Sequence, residues 1–419
     1  MKKLKKITGV VLLTLALAAA AGCGSNSAPD NAGITGPNAG ASPGSSGSQV
    51  EAPVPSGSAN NNVPPKENGP SGSTNPSNPS DHKVVMSNIA SVRLIDPKSG
   101  WIGGSGWIAR TDDGGKQWKV QYEGKQTVEQ LFALNGQEAW AVLGPVSTDA
   151  KERRLLHTKD GGTQWSDAGT VPGGGFLHFV SSQEAFAANA YSSDGGKSWI
   201  TLMVPDHMVG DAYFHDRKNG WVVTGDNNKI AVQRTVDGGT TWKTVMSRES
   251  ADSLTGAVIR SAGQDDAWVE WIGGSGMSQT SYSLFHTSDG GANWTTVIAN
   301  STAGAGPAPG FSLNENSGHK NDGSKPGALY VVSPKVAFMG GYCPACDNPN
   351  TVGWTTDGGK TWNNGKEQLP GYGGALLAIS DAEHGWLISN DHEQPPVIYT
   401  TSDGGRHWVK VHTFDRPAT

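Results

Sequence analysis

Three cysteines in 419 residues are too few to frame a disulfide scaffold. Charged residues make up only 17% of the chain, and 32 Lys and Arg stand against 38 Asp and Glu. The basic surplus that a nucleic-acid partner requires is therefore missing. The long apolar run from Ile7 to Ala21 is too short for a comfortable membrane span. Beyond residue 83 no stretch carries a helical hydrophobic period. Hydrophobic residues reach only 35%, low for a globular chain, so part of the sequence should stay outside any core. What the chain has instead is 58 Gly, 24 Pro and 15 Trp. A polar, Gly- and Pro-rich segment comes first and every Trp follows it.

Residues 1–23 read MKKLKKITGVVLLTLALAAAAGC. A basic start (Lys2, Lys3, Lys5, Lys6) and the apolar run lead to Ala20-Ala21-Gly22-Cys23. This resembles the bacterial lipoprotein signal, which implies that Cys23 is lipidated and becomes the mature N-terminus, although Ala20 stands where Leu is commoner. An ordinary signal peptide cleaved nearby is the alternative. Loss of the four lysines takes the formal charge from −6 to about −10, so lipid rather than charge must hold the protein to an anionic bilayer. Residues 24–81 hold almost no large apolar side chain and should remain a disordered tether with a reach of about 40 Å.

From about residue 83 the chain repeats. Seven times a Ser or Thr is followed by Asp-Gly-Gly and a Trp, at Asp113, Asp160, Asp194, Asp237, Asp289, Asp357 and Asp403. A β-type run ending in a small residue and an aromatic precedes each: Trp101, Trp140, Phe186, Trp221, Trp268, Phe338 and Trp386. Each unit reads as four short strands of Val, Ile, Thr and aromatics separated by Gly, Asp and Asn. The spacing of about 48 residues predicts an all-β, seven-bladed β-propeller of four-stranded blades over residues 82–419. Gly supplies the positive φ of the tight hairpin, the Asp carboxylate accepts from the turn's own N–H groups, and the Trp should wedge between its blade and the next. The pattern resembles the Asp-box, or bacterial neuraminidase repeat, and its longer form is similar to the photosystem II stability/assembly factor-like group. That resemblance implies fold more than function, since Asp-box propellers include sialidases, xyloglucanases, receptors and non-catalytic assembly factors.

The seven Asp suggest a carboxylate cluster or a calcium site, but each occupies the same place in its own hairpin, so a propeller scatters them around one rim as structural residues. No metal or cofactor is expected. Function is then sought on the opposite face. Eight residues before each second-strand aromatic stand Arg93, Phe132, His178, Tyr213, Arg260, Tyr330 and Ala378. Polar types at equivalent inner-strand positions suggest a binding ring near the axial channel; separate satisfaction between blades is the other reading. Lys151-Glu152-Arg153-Arg154 clusters positive charge on the same face, although a solvated loop is the commoner meaning of such a cluster. The insertion from Ile298 to about Leu329 reads as a lid or, preferably, a disordered excursion. Cys343 and Cys346 read as a small structural disulfide, since no strand-to-helix junction supports a thioredoxin-like role and His319 and His392 lack zinc-ligand spacing.

These features predict a lipid-anchored, extracytoplasmic, monomeric, non-catalytic binding propeller for a protein or cell-surface glycan, at a Gram-positive surface rather than in a periplasm. The alternative is a glycoside hydrolase of sialidase or related type. Against it stand the scarcity of inner-strand Arg (Arg93 and Arg260), the absence of a Phe/Tyr-Arg-Ile-Pro opening, and room for one propeller only. The acids Asp216, Glu270 and Asp381 are scattered, whereas glycoside hydrolysis needs a facing pair.

Overall fold

The computed structural model describes residues 83–416, apart from 146–151, 227, 313, 314, 316, 348, 372 and 392. The expected signal peptide, Cys23, the tether and Lys151 therefore lie outside the described residues. Those described are all β. The first sheet contains β1 (Ser91–Leu94), β2 (Gly100–Thr111), β3 (Lys119–Ala133), β4 (Ala139–Leu143), β5 (Glu152–Thr158) and β6 (Ser166–Pro172). The second contains β7 (Leu177–Phe179), β8 (Ala185–Ala187), β9 (Ala190–Ser192) and β10 (Ile200–Thr201). The third contains β11 (Tyr213–Phe214), β12 (Gly220–Asp226), β13 (Lys229–Thr235) and β14 (Lys243–Glu249). The fourth is β15 (Gly256–Arg260), β16 (Ala267–Ser275), β17 (Thr280–Thr287) and β18 (Thr295–Asn300). The fifth is β19 (Lys325–Val331), β20 (Ala337–Tyr342), β21 (Asn350–Thr355) and β22 (Asn363–Asn364), and the sixth is β23 (Leu376–Ile379), β24 (Gly385–Ser389), β25 (Val397–Thr401) and β26 (Val409–Thr413). All strand pairs are antiparallel meanders, as a propeller blade requires.

Counted as sheets, the propeller has six blades, which corrects the expectation of seven. The cause lies in the first two repeat units. Residues of β3 near Lys119 pair with β2 and residues near Ala133 pair with β4, so the outermost strand of one unit runs unbroken into the innermost strand of the next. No Pro interrupts this stretch. Likewise β2 pairs with β1 up to Gly103 and with β3 from Ser105, bending at Gly106 (φ 87°). Seven repeat units thus share six sheets, one of them six-stranded.

Inner strands are buried on both faces because each sheet packs against two others, whereas outer strands such as β6, β14 and β26 are largely exposed. All seven second-strand aromatics are fully buried, Trp386 being the most exposed of them at 1%. The first and last described segments meet. The backbone N–H of Met86 donates to Asp415 Oδ2 (2.9 Å), that of Asp415 to Met86 O (3.2 Å), and Trp118 stacks edge-on against Trp386 at 5.7 Å.

Candidate functional site

The seven Asp-Gly-Gly turns share one construction. The Ser or Thr hydroxyl donates to Asp Oδ1 at 2.7–2.9 Å. The same carboxylate oxygen accepts the N–H four residues on at 2.9–3.0 Å. The second Gly N–H donates back to the Ser or Thr oxygen at 2.8–3.2 Å. These bonds hold the carboxylates low: the Ser198 hydroxyl brings Asp194, and the Thr241 hydroxyl Asp237, to about 2. Burial opposes the same fall at Asp403, yet the groups of His407 still bring it to about 2.

Each turn is also a joint. The first Gly donates to a carbonyl of its own unit's β-turn between first and second strands, for example Gly114 to Lys98 and Gly404 to Glu383 (2.8 and 2.9 Å). This places the Asp turns and the first-to-second strand turns on one face. The second Gly abuts the preceding unit: Cβ atoms at Gly196, Gly291 and Gly359 would lie 2.5, 2.6 and 2.3 Å from Leu155, Val245 and Val297. The Trp that follows accordingly packs backwards, Trp294 lying 6.2 Å from Trp221 and donating to Val245 O. The sequence pointed these indoles at the next blade; the close approach of the Gly to the preceding sheet turns them the other way.

Residues just before the turn's Ser or Thr complete the joint. Arg110 lies over Trp101 and donates to Gly161 O of the following turn; Arg234 lies over Trp221 and donates to Gly290 O. His286 stacks on Trp268 at 3.9 Å, with one ring nitrogen 2.9 Å from Gly358 O and the other 2.9 Å from Asp266. Sequence reasoning missed them, although Arg, His, Tyr or Trp precedes six of the seven turns.

The inner-strand positions do form one register: Arg93, Phe132, His178, Tyr213, Arg260, Tyr330 and Ala378 each pair with their unit's second-strand aromatic. All are buried, and several reach into a neighbouring unit. Arg93 lies over Phe132 and donates to Ala133 O (3.1 Å); His178 stacks on Tyr213 at 4.6 Å and donates to Phe214 O (2.7 Å). Burial brings the His178 imidazole down to about 4, so it is neutral. Tyr213 donates to Ser261 O, and Arg260 sits 3.8 Å over Phe176. Arg93, His178 and Tyr213 thus bond or stack onto the next unit, whereas Arg260 reaches Phe176 two units away. Arg153 and Arg154 pair with Glu129 and Asp167, so these two cations of the basic cluster each have an acidic partner.

The insertion is not a disordered excursion in its described residues. His319 bridges back to β18, Asn321 receives the Trp362 indole N–H, and Ala308 and Phe311 are buried against the sheets. Buried amides and apolar anchors at intervals explain why a Gly-rich segment is held. Cys343 and Cys346 are joined as a disulfide, with Cys346 exposed.

Two of the three scattered acids are occupied in turns, whereas Glu270 Oε1 is buried without a hydrogen-bond partner among the described residues. Asp216 accepts N–H bonds from Lys218 and Asn219, and Asp381 from Glu383 and His384, both capping first-to-second strand turns. Glu270 is buried, and that burial pushes its carboxyl up to about 8, with Arg260 opposing. Among the described residues no three His, Cys, Asp or Glu group as metal ligands, and no helix is long and apolar enough to cross a membrane.

One open cavity, of about 300 Å³, lies where the first and last sheets meet. Asn88, Ile89 and Ala90, Ser105 of β2, Thr127 of β3, and Asn390 and Asp391 after β24 line it. These belong to second-to-third strand bends and to connections between units, hence to the face opposite the Asp turns. Nothing in the repeat marks them, because they stand where the pattern breaks.

No family model matches the chain. Over 256 residues (54% of this chain, 23% of the relative) it is 25% identical to a xyloglucanase from a Paenibacillus species, so the match spans about a quarter of that protein. Over 272 residues (59% of this chain, 73% of the relative) it is 23% identical to the photosystem II assembly lipoprotein Ycf48 of Synechococcus sp. strain CC9902. Among solved structures, the GH74 xyloglucanase of Xanthomonas campestris aligns with a TM-score of 0.51 at 13% identity, covering 77% of this chain and 53% of that one. Ycf48 bound to a D1 peptide aligns with a TM-score of 0.44 at 16% identity, covering 77% and 92%. The chain is a β-propeller similar to both kinds of protein.

Proposed function

We propose that the protein is a lipid-anchored, extracytoplasmic scaffold that holds a protein partner on the face opposite its Asp-Gly-Gly turns and performs no chemistry on it. One observation carries this reading: the recurrent acids and the capping acids Asp216 and Asp381 are all bonded into turns of one face, while the open cavity lies on the other. The naming of a curated relative as an assembly lipoprotein supports it. Affinity capture from envelope extract, with the full chain as bait, should recover a defined protein that detergent-solubilised lipid alone does not. Failure to enrich any protein would contradict the proposal. The similarity to a xyloglucanase sustains a second reading, a glycoside hydrolase, which requires turnover of a glycan.

A further inference from the structure

We infer that Cys343 and Cys346 form a thiol-exchange site, a disulfide that accepts a thiolate at Cys346 and is reduced by a dithiol without disturbing its blade; this goes beyond the scaffold reading and does not rest on it. The two cysteines are only three positions apart. So short a ring constrains the unfolded chain little, and that constraint is the main way a disulfide stabilises a fold. The turn is closed without it. Pro344 stands at the second position of the turn, which suits its fixed φ, and the Cys346 N–H donates to Cys343 O at 3.1 Å. Both stems are anchored as well. β20 and β21 pair from Ala337 with Thr355 to Tyr342 with Asn350, and the Cys343 N–H donates to Pro349 O at 2.9 Å. Asn350 exchanges backbone bonds with Leu369 at 3.0 and 2.8 Å. The two cysteines differ in access: Cys346 is exposed along with Pro344, Ala345 and Asp347, whereas Cys343 is half-buried. Exposed disulfides are the labile ones. Among the described residues no helix begins at this loop to stabilise a thiolate, which casts the oxidised pair as the acceptor in the exchange rather than the attacking group. A thiolate of the incoming dithiol attacks Cys346 Sγ; the Cys343–Cys346 bond breaks as the mixed disulfide forms, and Cys343 leaves with the electron pair and takes a proton from water. The second thiolate of the dithiol then displaces Cys346, which is protonated in turn. One dithiol is thereby oxidised to a disulfide, and this pair gains two electrons and two protons.

The test treats the native full chain with a reduced Cys-x-x-Cys peptide, followed by acid quench, alkylation and peptide mapping, which separates this pair from Cys23. The pair should open at a peptide concentration within about tenfold of that needed for the urea-unfolded chain, with one peptide disulfide formed for each pair opened. Reduced and oxidised chains should melt within about four degrees of each other, and so should the double variant Cys343→Ser, Cys346→Ser. Oxidised glutathione reaches the same mixed disulfide from the other side. It should react with Cys346 of the Cys343→Ser chain about tenfold faster, or more, than with Cys343 of the Cys346→Ser chain. A pair that stays closed until the chain unfolds, a fall in Tm on reduction beyond that margin, or equal reactivity of the two single variants would overturn the inference.

Discussion

At the scale of single residues, the recurrent aspartates are spent on their own backbone. Their depressed folded-state pKa fixes the sign of the pH dependence. A carboxylate at about 2 in the fold, against about 3.9 in the unfolded chain, contributes stability that is full above pH ~4 and lost as pH falls towards 2. Asp237→Asn should therefore lower the Tm by a few degrees at pH 7, and the gap to wild type should close near pH 2. Thermal scans across that range check it; a gap independent of pH would assign the loss to shape rather than charge. Glu270 has the opposite sign. Its carboxyl, raised to about 8, keeps a proton that the unfolded chain releases, so its contribution is full below pH ~4.3 and declines as pH rises through 8. The inner-strand Arg93 and His178 belong with these residues: they bond and stack across a seam.

At the scale of elements, the Asp-Gly-Gly turn was legible in the sequence as a hairpin, since positive φ demands Gly and the Ser/Thr-Asp pair declares the bonding. Its second duty was not legible. Which sheet a turn touches depends on close approach in space, and only coordinates show Gly291 against Val245. Gly291→Ala meets both a φ of 87° and that contact, whereas Gly373→Ala meets a φ of 77° in open space. The first should cost about 2 kcal/mol or more and clearly more than the second, read as the difference in denaturant midpoint. Equal losses would mean that the turn is local only. The residue before each turn, by contrast, could have been found: Arg110, Arg234 and His286 are bulky or cationic where an ordinary strand end would not be. Register itself was readable, because the separation of eight from Arg93 to Trp101 recurs from Arg260 to Trp268, and both are direct pairs.

At the scale of the whole molecule, the repeat announced a propeller but misnumbered its blades. A count of turns gives units, and two units fuse wherever the connecting chain can continue as a strand, as β3 does. The insertion was misjudged for a related reason: composition alone cannot reveal that Phe311 and Asn321 find anchors in the sheets. Likewise the seam cavity is built from residues distant in sequence, Asn88 and Asn390, brought together only where the first and last sheets meet. The resulting molecule has one face stitched by repeated turns and another on which the pattern breaks. The first face is structural, and recognition is proposed for the second. With the acids serving the fold, the protein should turn over no glycan. Product release from xyloglucan and from a fluorogenic sialoside, measured with the full chain against Asp216→Ala, Asp381→Ala and Glu270→Gln, tests this most directly. No release above buffer is expected for any of the four proteins; saturable release by wild type that disappears with one of those acids would make the protein a glycoside hydrolase.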